Sequence, residues 1–252
     1  MVDQKGECRE QLFFRTQEFE NFDDFLDQIK DGVEELKGKF DFPVNFIGCG
    51  IGASNASSRN GTIKNAANLK WKGSVPVLEK LGQRRDLPMR IMNDASAAAL
   101  GEMLFGNAKG MSDFIVIALG TGFGAGIVAN GKLIQGYDGF AGELGHVDMT
   151  LGDGRLTGLG IRGGLEAYLS ATGLKRTILY MLSKYREESR FRDIALHGED
   201  ITKAAEDGDP IALKTFEYTA DFMALALANF TAFSQPEAFF LTGGAWSIGV
   251  NG

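Results

Sequence analysis

The chain has 252 residues, a length that allows one large or two modest domains with a sizeable buried core. Hydrophobic residues make up 44% and charged residues 23%, the ordinary globular mix, which excludes disordered, collagen-like and coiled-coil chains. With 26 Lys and Arg against 33 Asp and Glu the net charge is -7, and no basic tract supplies the phosphate-neutralising surface that a nucleic-acid partner needs.

In chain order, Gln11 to Arg15 reads as a strand. A helix follows from about Asn21, with Phe22, Phe25, Leu26, Ile29, Val33 and Leu36 at helical spacing. Val44 to Cys49 is a short apolar strand leading into a loop rich in glycine and asparagine. Val75 to Arg85 reads as helix, Met89 to Met92 as strand, and Ala95 to Phe105 as an alanine-rich helix. Strand and helix in alternation predict an α/β layer.

The second half restarts with a strand, Phe114 to Leu119, and a hairpin over Gly126 to Ile134 that turns at Asn130-Gly131, a pair suited to positive φ. Two long helices are expected over Gly164 to Tyr185 and Pro210 to Ala232, with Pro210 in the first turn, where proline is tolerated. A last strand, Ala238 to Leu241, runs into Thr242-Gly243-Gly244. With no repeat and no linker, the domain division is expected near Gly101, giving α/β domains over 1–100 and 101–252.

Met1 to Lys5 lacks the apolar run of a secretion signal, and the most apolar segment, Phe222 to Phe233, is interrupted by Asn229 and Thr231 and is too short to span a bilayer. A cytoplasmic protein with no membrane partner is expected. Cys8 and Cys49 have no CxxC spacing and read as small structural hydrophobes of a reducing compartment. Glycine, at 34 residues, is nearly twice its usual share of roughly 7%, so it must serve tight turns or close backbone approach.

Three constellations carry chemistry. Gly120-Thr121-Gly122-Phe123-Gly124 follows a buried strand; alternate glycines let backbone N–H groups approach an anion, and Thr121 adds a hydroxyl. The segment also fits G-x-G-x-x-G/A and part of the P-loop pattern, but both of those motifs open a helix, whereas this one continues into a hairpin. A glycine-rich hairpin with no ligand is the plain alternative. Asn93-Asp94 ends a short strand where α/β proteins place ligands. Asp94 suits either a helix N-cap or a general base that orients a substrate hydroxyl. The third is Glu143-Leu144-Gly145-His146 with Glu166 twenty residues on, where ring and carboxylates can converge on a small polar ligand. A satisfied loop histidine and a metal ligand are the other readings of His146. His197 has no such company and reads as a surface loop residue.

Together these segments resemble the ROK family of sugar kinases and sugar-responsive repressors. The resemblance rests on Asn93-Asp94 followed by Ala97 to Glu102, then Gly120 to Gly124, then Glu143 to His146. Asn65 to Trp71 is similar to the family's asparagine-leucine-x-tryptophan sugar loop, and Ala238 to Gly244 to its late strand and di-glycine. It implies the actin-like, ribonuclease-H-like ATPase fold, with two α/β domains around a central cleft. The activity it implies is ATP-dependent phosphorylation of a hexose, foremost glucose to glucose 6-phosphate, in carbohydrate metabolism with ATP and Mg²⁺. By the same resemblance Asp94 is the catalytic base, and Asn68, Asn93, Glu143, His146 and Glu166 bind sugar. Gly120, Thr121, Gly122, Gly124, Gly243 and Gly244 take nucleotide phosphate. A homodimer is expected, and a sugar-binding regulator, a pseudo-kinase or a kinase for an N-acetylated hexosamine are the alternatives.

Three departures from the family pattern stand out. Its opening Asp-x-Gly-Gly-Thr loop is not in this sequence, whose Val2 to Gly6 resembles the tail of that hairpin, and its stretch beyond the di-glycine is also missing. On that footing the 252 residues alone are expected to lack robust turnover. The family's zinc knuckle aligns with Thr157, Leu159 and Gly164, none a cysteine, so no structural zinc is expected.

Overall fold

The computed structural model describes residues 1–66, 69–84, 86–192 and 198–243. The chain divides into two compact units, Met1–Gly110 with Gln135–Ala141, and Met111–Ile134 with Gly142–Gly252. Gly101, where the sequence places the division, lies inside a helix wholly within the first unit.

The first unit opens with an extended segment and helix α1 (Phe22–Lys37). Asn21 caps α1 by accepting the Asp24 N–H, Asp23 and Asp24 fill its first turn, and Phe22, Leu26 and Leu36 are buried. Gln11 to Arg15, expected as a strand, has no ladder partner among the described residues. Its apolar side chains approach helix α1 instead. A Cβ on Gly32 of α1 would meet the side chains of Phe14 and Leu12, while Phe13 points outward at 84% exposure.

Strand β1 (Cys49–Gly52) starts where the sequence reading of Val44 to Cys49 ends. The loop expected after it holds a small antiparallel sheet of β2 (Ala56–Ser57), β3 (Thr62–Lys64) and β4 (Ser74–Val75). Pro76 delays the next helix, α2 (Val77–Gly82), so Val75 is strand rather than helix; Arg85, the expected helix end, lies outside the described residues. Strand β5 (Met89–Met92) and helix α3 (Asp94–Phe105) fall where the sequence puts them to within a residue. β1 and β5 pair in parallel, with Cys49 opposite Met89 and Gly52 opposite Met92, so their carboxyl ends share one edge. Phe22, Leu26, Ile63, Trp71, Val75, Val77 and Ile91 form the core of this unit. Cys49 is half-buried and burial raises its thiol pKa, whereas Cys8 is exposed, not the small buried hydrophobe expected.

The second unit is built on strand β6 (Phe114–Leu119), paired antiparallel with β7 (Phe123–Ala129) and parallel with β9 (Ala238–Thr242); β8 (Lys132–Leu133) extends the sheet beyond β7. The near-continuous burial of β6 is that of a strand covered on both faces. β7 begins at Phe123 rather than Gly126 because its ladder with β6 closes at Leu119 opposite Phe123, leaving Gly120 to Gly122 as the turn. The expected turn at Asn130-Gly131 has φ of 50° and 69°.

The single helix expected over Gly164 to Tyr185 is two, α4 (Glu166–Leu169) and α5 (Ala171–Lys184). Ser170 is extended between them; its hydroxyl accepts the Gly173 N–H and donates to the Glu166 carbonyl. α6 (Gly198–Glu206) and the 25-residue α7 (Pro210–Ser234) complete the unit. Asp209 caps α7 through the Ile211 and Ala212 N–H groups. The sheet and α7 bury Ile115, Ile117, Phe123, Ile127, Leu169 and Phe230.

Candidate active site

In the first unit, the candidate chemistry gathers where β5 meets α3. Asn93 is the N-cap, its side-chain oxygen accepting the N–H groups of Ala95 at 2.9 Å and Ser96 at 3.3 Å. The capping role offered for Asp94 therefore belongs to Asn93, which keeps its amide N–H₂ to offer a ligand. Asp94, exposed at the first position of α3, accepts the Ala95 N–H at Oδ1 (2.9 Å) and the Ser54 hydroxyl at Oδ2 (2.9 Å). Ser54 follows β1, and the Ala53 N–H donates to the Met92 carbonyl, so the parallel pairing brings the two carboxyl-terminal loops together. Sequence reasoning missed Ser54; the signal was a serine just past the end of a strand neighbouring the one that carries Asn93-Asp94.

The loop over Asn65 to Trp71 is anchored at both ends. Asn65, with φ 47°, donates its backbone N–H to the Gly73 carbonyl, and its side-chain Oδ1 accepts the Gly73 N–H at 2.8 Å. Trp71 is buried against Phe22 and Phe25, each ring 5.0 Å away, and its Nε1 has no partner among the described residues. Asn68 lies outside the described residues, as do Gly244 and His197.

The second unit brings the other candidates together around the β6–β7 turn. Gly120 and Thr121 are exposed, and the Gly120 N–H donates to the Gly122 carbonyl within the turn. The Gly120 carbonyl accepts the Ala171 N–H at the start of α5, so the turn is fixed by a helix N-terminus. Glu166 Oε2 accepts the Phe123 N–H at 3.2 Å, and a Cβ on Gly122 would sit 2.6 Å from that oxygen. Gly122 therefore admits a carboxylate, and Glu166 stands against the glycine turn. Gly124 is part of β7, opposite Ala118. Gly243, with φ 124°, follows β9 where a Cβ would strike the Leu119 carbonyl, just ahead of Gly120.

Glu143 and His146 ride on a loop laid along β7. The Ala125 N–H donates to the Gly142 carbonyl, and Gly142, with φ 98°, sits where a Cβ would run into the Ala125 carbonyl oxygen. A single 3₁₀ turn, Leu144–His146, sets His146 Nε2 3.7 Å from Glu143 Oε2, an approach that becomes an ion pair when the imidazole is protonated. His146 Nδ1 is buried without a partner among the described residues. Buried polar atoms are nearly always bonded, so this nitrogen is available to a ligand hydroxyl.

The knuckle implied by the resemblance does not suit a zinc ion. Thr157 and Ile161 close a protein-only turn, Thr157 N–H to Ile161 carbonyl at 2.8 Å and Ile161 N–H to Thr157 Oγ1 at 3.2 Å. Leu159 and Gly164 offer no donor atom, and the described residues present no group of three or more His, Cys, Asp or Glu able to hold a metal ion. Arg155 steadies the same stretch, half-buried over the Tyr168 ring at 4.8 Å and donating to Thr177 Oγ1 at 2.6 Å. Burial lowers its pKa.

Among the described residues no helix is long and apolar enough to cross a membrane. The glucokinase of Halalkalibacterium halodurans is 34% identical over 88% of this chain and 68% of its own length. The xylose repressor of Caldicellulosiruptor bescii is 34% identical over 77% of this chain and 49% of its own. A glucokinase from Streptomyces coelicolor matches at 35% over 79% of this chain, which spans only 64% of it. Among solved structures, a ROK family glucokinase from Streptomyces griseus in complex with glucose and AMPPNP superposes with TM-score 0.79 at 31% identity, covering 96% of this chain and 78% of that one. The fold is thus the expected actin-like ATPase type. The family model for ROK proteins matches residues 1–249, and the chain belongs to the ROK family.

Proposed function

We propose that the protein is an ATP-dependent hexose kinase that converts glucose to glucose 6-phosphate. The observation that carries this reading is the division of labour at the β5–α3 corner. Asn93 caps the helix, and Asp94 holds an exposed carboxylate oriented by Ser54. In the reaction the substrate hydroxyl oxygen attacks the γ-phosphorus of ATP, its proton passes to Asp94, and ADP leaves. Phosphoryl transfer depends on positioning and charge stabilisation, and the remaining residues supply those. Gly120, Thr121, Gly122 and Gly124, with Gly243 and Gly244, take the nucleotide phosphates. Asn68, Asn93, Glu143, His146 and Glu166 hold the sugar, with the unpartnered His146 Nδ1 accepting a hydroxyl. Mg²⁺ accompanying the nucleotide neutralises phosphate charge when bound. The glucokinase relatives support both the chemistry and the sugar. In this reading the protein works in the cytoplasm as a homodimer.

The match to a xylose repressor favours a second reading, a sugar-binding regulator without turnover. Measuring ATP consumption by the intact protein against glucose, N-acetylglucosamine, N-acetylmannosamine and fructose separates the two. Turnover highest with glucose supports the proposal; turnover confined to an N-acetylated sugar corrects the substrate; sugar binding with no ATP consumption supports the regulator.

A further inference from the structure

The segment Gln135–Ala141 belongs to the first unit and is strapped onto its small sheet. The Ser57 hydroxyl donates to the Asp138 carbonyl at 2.7 Å, the Ser58 hydroxyl to Gln135 Oε1 at 2.7 Å, and Arg59 Nη1 to the Tyr137 carbonyl at 2.9 Å. The Arg59 guanidinium also lies 4.3 Å from the centre of the Tyr137 ring, although that ring is 84% exposed and buries little. Between strap, sheet and β5 is a cavity of about 310 Å³, at the small end of ligand-site volumes, lined in part by Ser58, Arg59, Arg90, Gln135 and Tyr137.

Its charge is one-sided. Among the described residues no Asp or Glu lines the cavity and neither Arg59 nor Arg90 forms an ion pair, in a chain of net charge -7. Each guanidinium uses one N–H on a carbonyl, Arg59 on Tyr137 and Arg90 on Met89, leaving most of its five donors. Ser58 spends its proton on Gln135 Oε1, which leaves the Gln135 N–H₂ as the donor end of that amide. A site whose charged and amide groups are donors, with one guanidinium held in place by an aromatic ring, fits an acceptor-only ligand.

We propose that this cavity is an anion site that takes a phosphoryl group, either as free phosphate or as the phosphate of a small sugar ester. None of its lining residues is among those assigned to phosphoryl transfer, and the proposal does not depend on that assignment. Ile91 and Met92, which immediately precede Asn93-Asp94, also line it, so occupancy is felt next to the candidate base.

Calorimetric titration of the intact protein with inorganic phosphate, and separately with glucose 6-phosphate, tests the site, each with and without AMPPNP. One saturable site persisting with AMPPNP is expected, weakened at least about tenfold in Arg59→Ala/Arg90→Ala and unchanged in Lys109→Ala, a surface-charge control outside the lining. Thermal melts check that the double variant folds; if it does not, Arg59→Gln and Arg90→Gln singly carry the same expectation. Tighter binding of glucose 6-phosphate identifies the sugar ester as occupant, and equal binding identifies the free anion. Absence of saturable binding, binding that survives loss of both guanidiniums, or displacement by AMPPNP overturns the proposal.

Discussion

The β5–α3 corner of the first unit and the Gly142–Glu166 stretch of the second position polar groups by opposite means. At the corner, regular elements do the work: a parallel strand pair, a helix cap and one hydroxyl fix Asp94, which is itself exposed. In the second region the backbone is mostly irregular, and Glu143, His146 and Glu166 are held by close approach at glycines and by loop hydrogen bonds. Substitution of Asp94, which carries no cap, should separate chemistry from stability, while substitutions in the loop region should not.

The largest effect is expected at Asp94. Asp94→Asn keeps the shape but cannot take a proton, so turnover should fall by about 10²–10⁴-fold with the melting temperature unchanged. A parallel loss of stability would remove the contrast. Gly142→Ala should do the reverse of Asp94→Asn, destabilising the protein by about 2–3 kcal/mol in chemical denaturation, since φ is 98° and the new Cβ meets the Ala125 carbonyl. Asn93→Ala removes the cap and should cost about 1 kcal/mol of stability while weakening sugar binding, as read by melting and calorimetry.

The smallest effects are expected at Asp148 and at the Thr157 turn. The backbone N–H groups of Thr150 and Gly152 hold the Asp148 carboxyl below the usual carboxylate range. A depressed pKa contributes stability that is complete above the unfolded value, about pH 4, and is lost as pH falls through the folded one. Asp148→Ala should therefore flatten the acid side of the melting-temperature profile without altering neutral behaviour beyond the lost turn. EDTA should leave the melting temperature of the wild type unchanged; a large drop, or stoichiometric zinc in metal analysis, would overturn the protein-only account of the Thr157 turn.

How far sequence carried the structure follows the same contrast. Met89 to Met92 and Phe114 to Leu119 were legible because each is a short, mostly apolar run between strand breakers or polar residues, Pro88 and Asn93 for the first and Asp113 and Gly120 for the second, and α7 because Pro210 marks its start. Gln11 to Arg15 misleads because Leu12 and Phe14 approach Gly32 of α1 rather than a neighbouring strand. The break at Ser170 was hidden because helical spacing continues across it, and only the serine hydroxyl bonded to Gly173 shows that a new helix begins. At the site, the residue types of the Asn93-Asp94 pair and the glycine turn announced themselves. Ser54 and the Glu166 contact with Phe123 arise from tertiary approach across 40 and 43 residues, which no local pattern encodes. The strand content of Ala56 to Val75 was masked by loop-like composition; its three strands are only two or three residues long.

The central claim is that Asp94 acts on a proton and not as a cap or as a grip on the sugar. Calorimetric titration of glucose into the intact protein and its Asp94→Asn variant, alongside turnover on the same samples, tests it most directly. The account predicts glucose affinity within about threefold of wild type while turnover collapses by about 10²-fold or more. Affinity that falls in step with turnover, or a variant that binds weakly and still turns over at a mildly reduced rate, would contradict it.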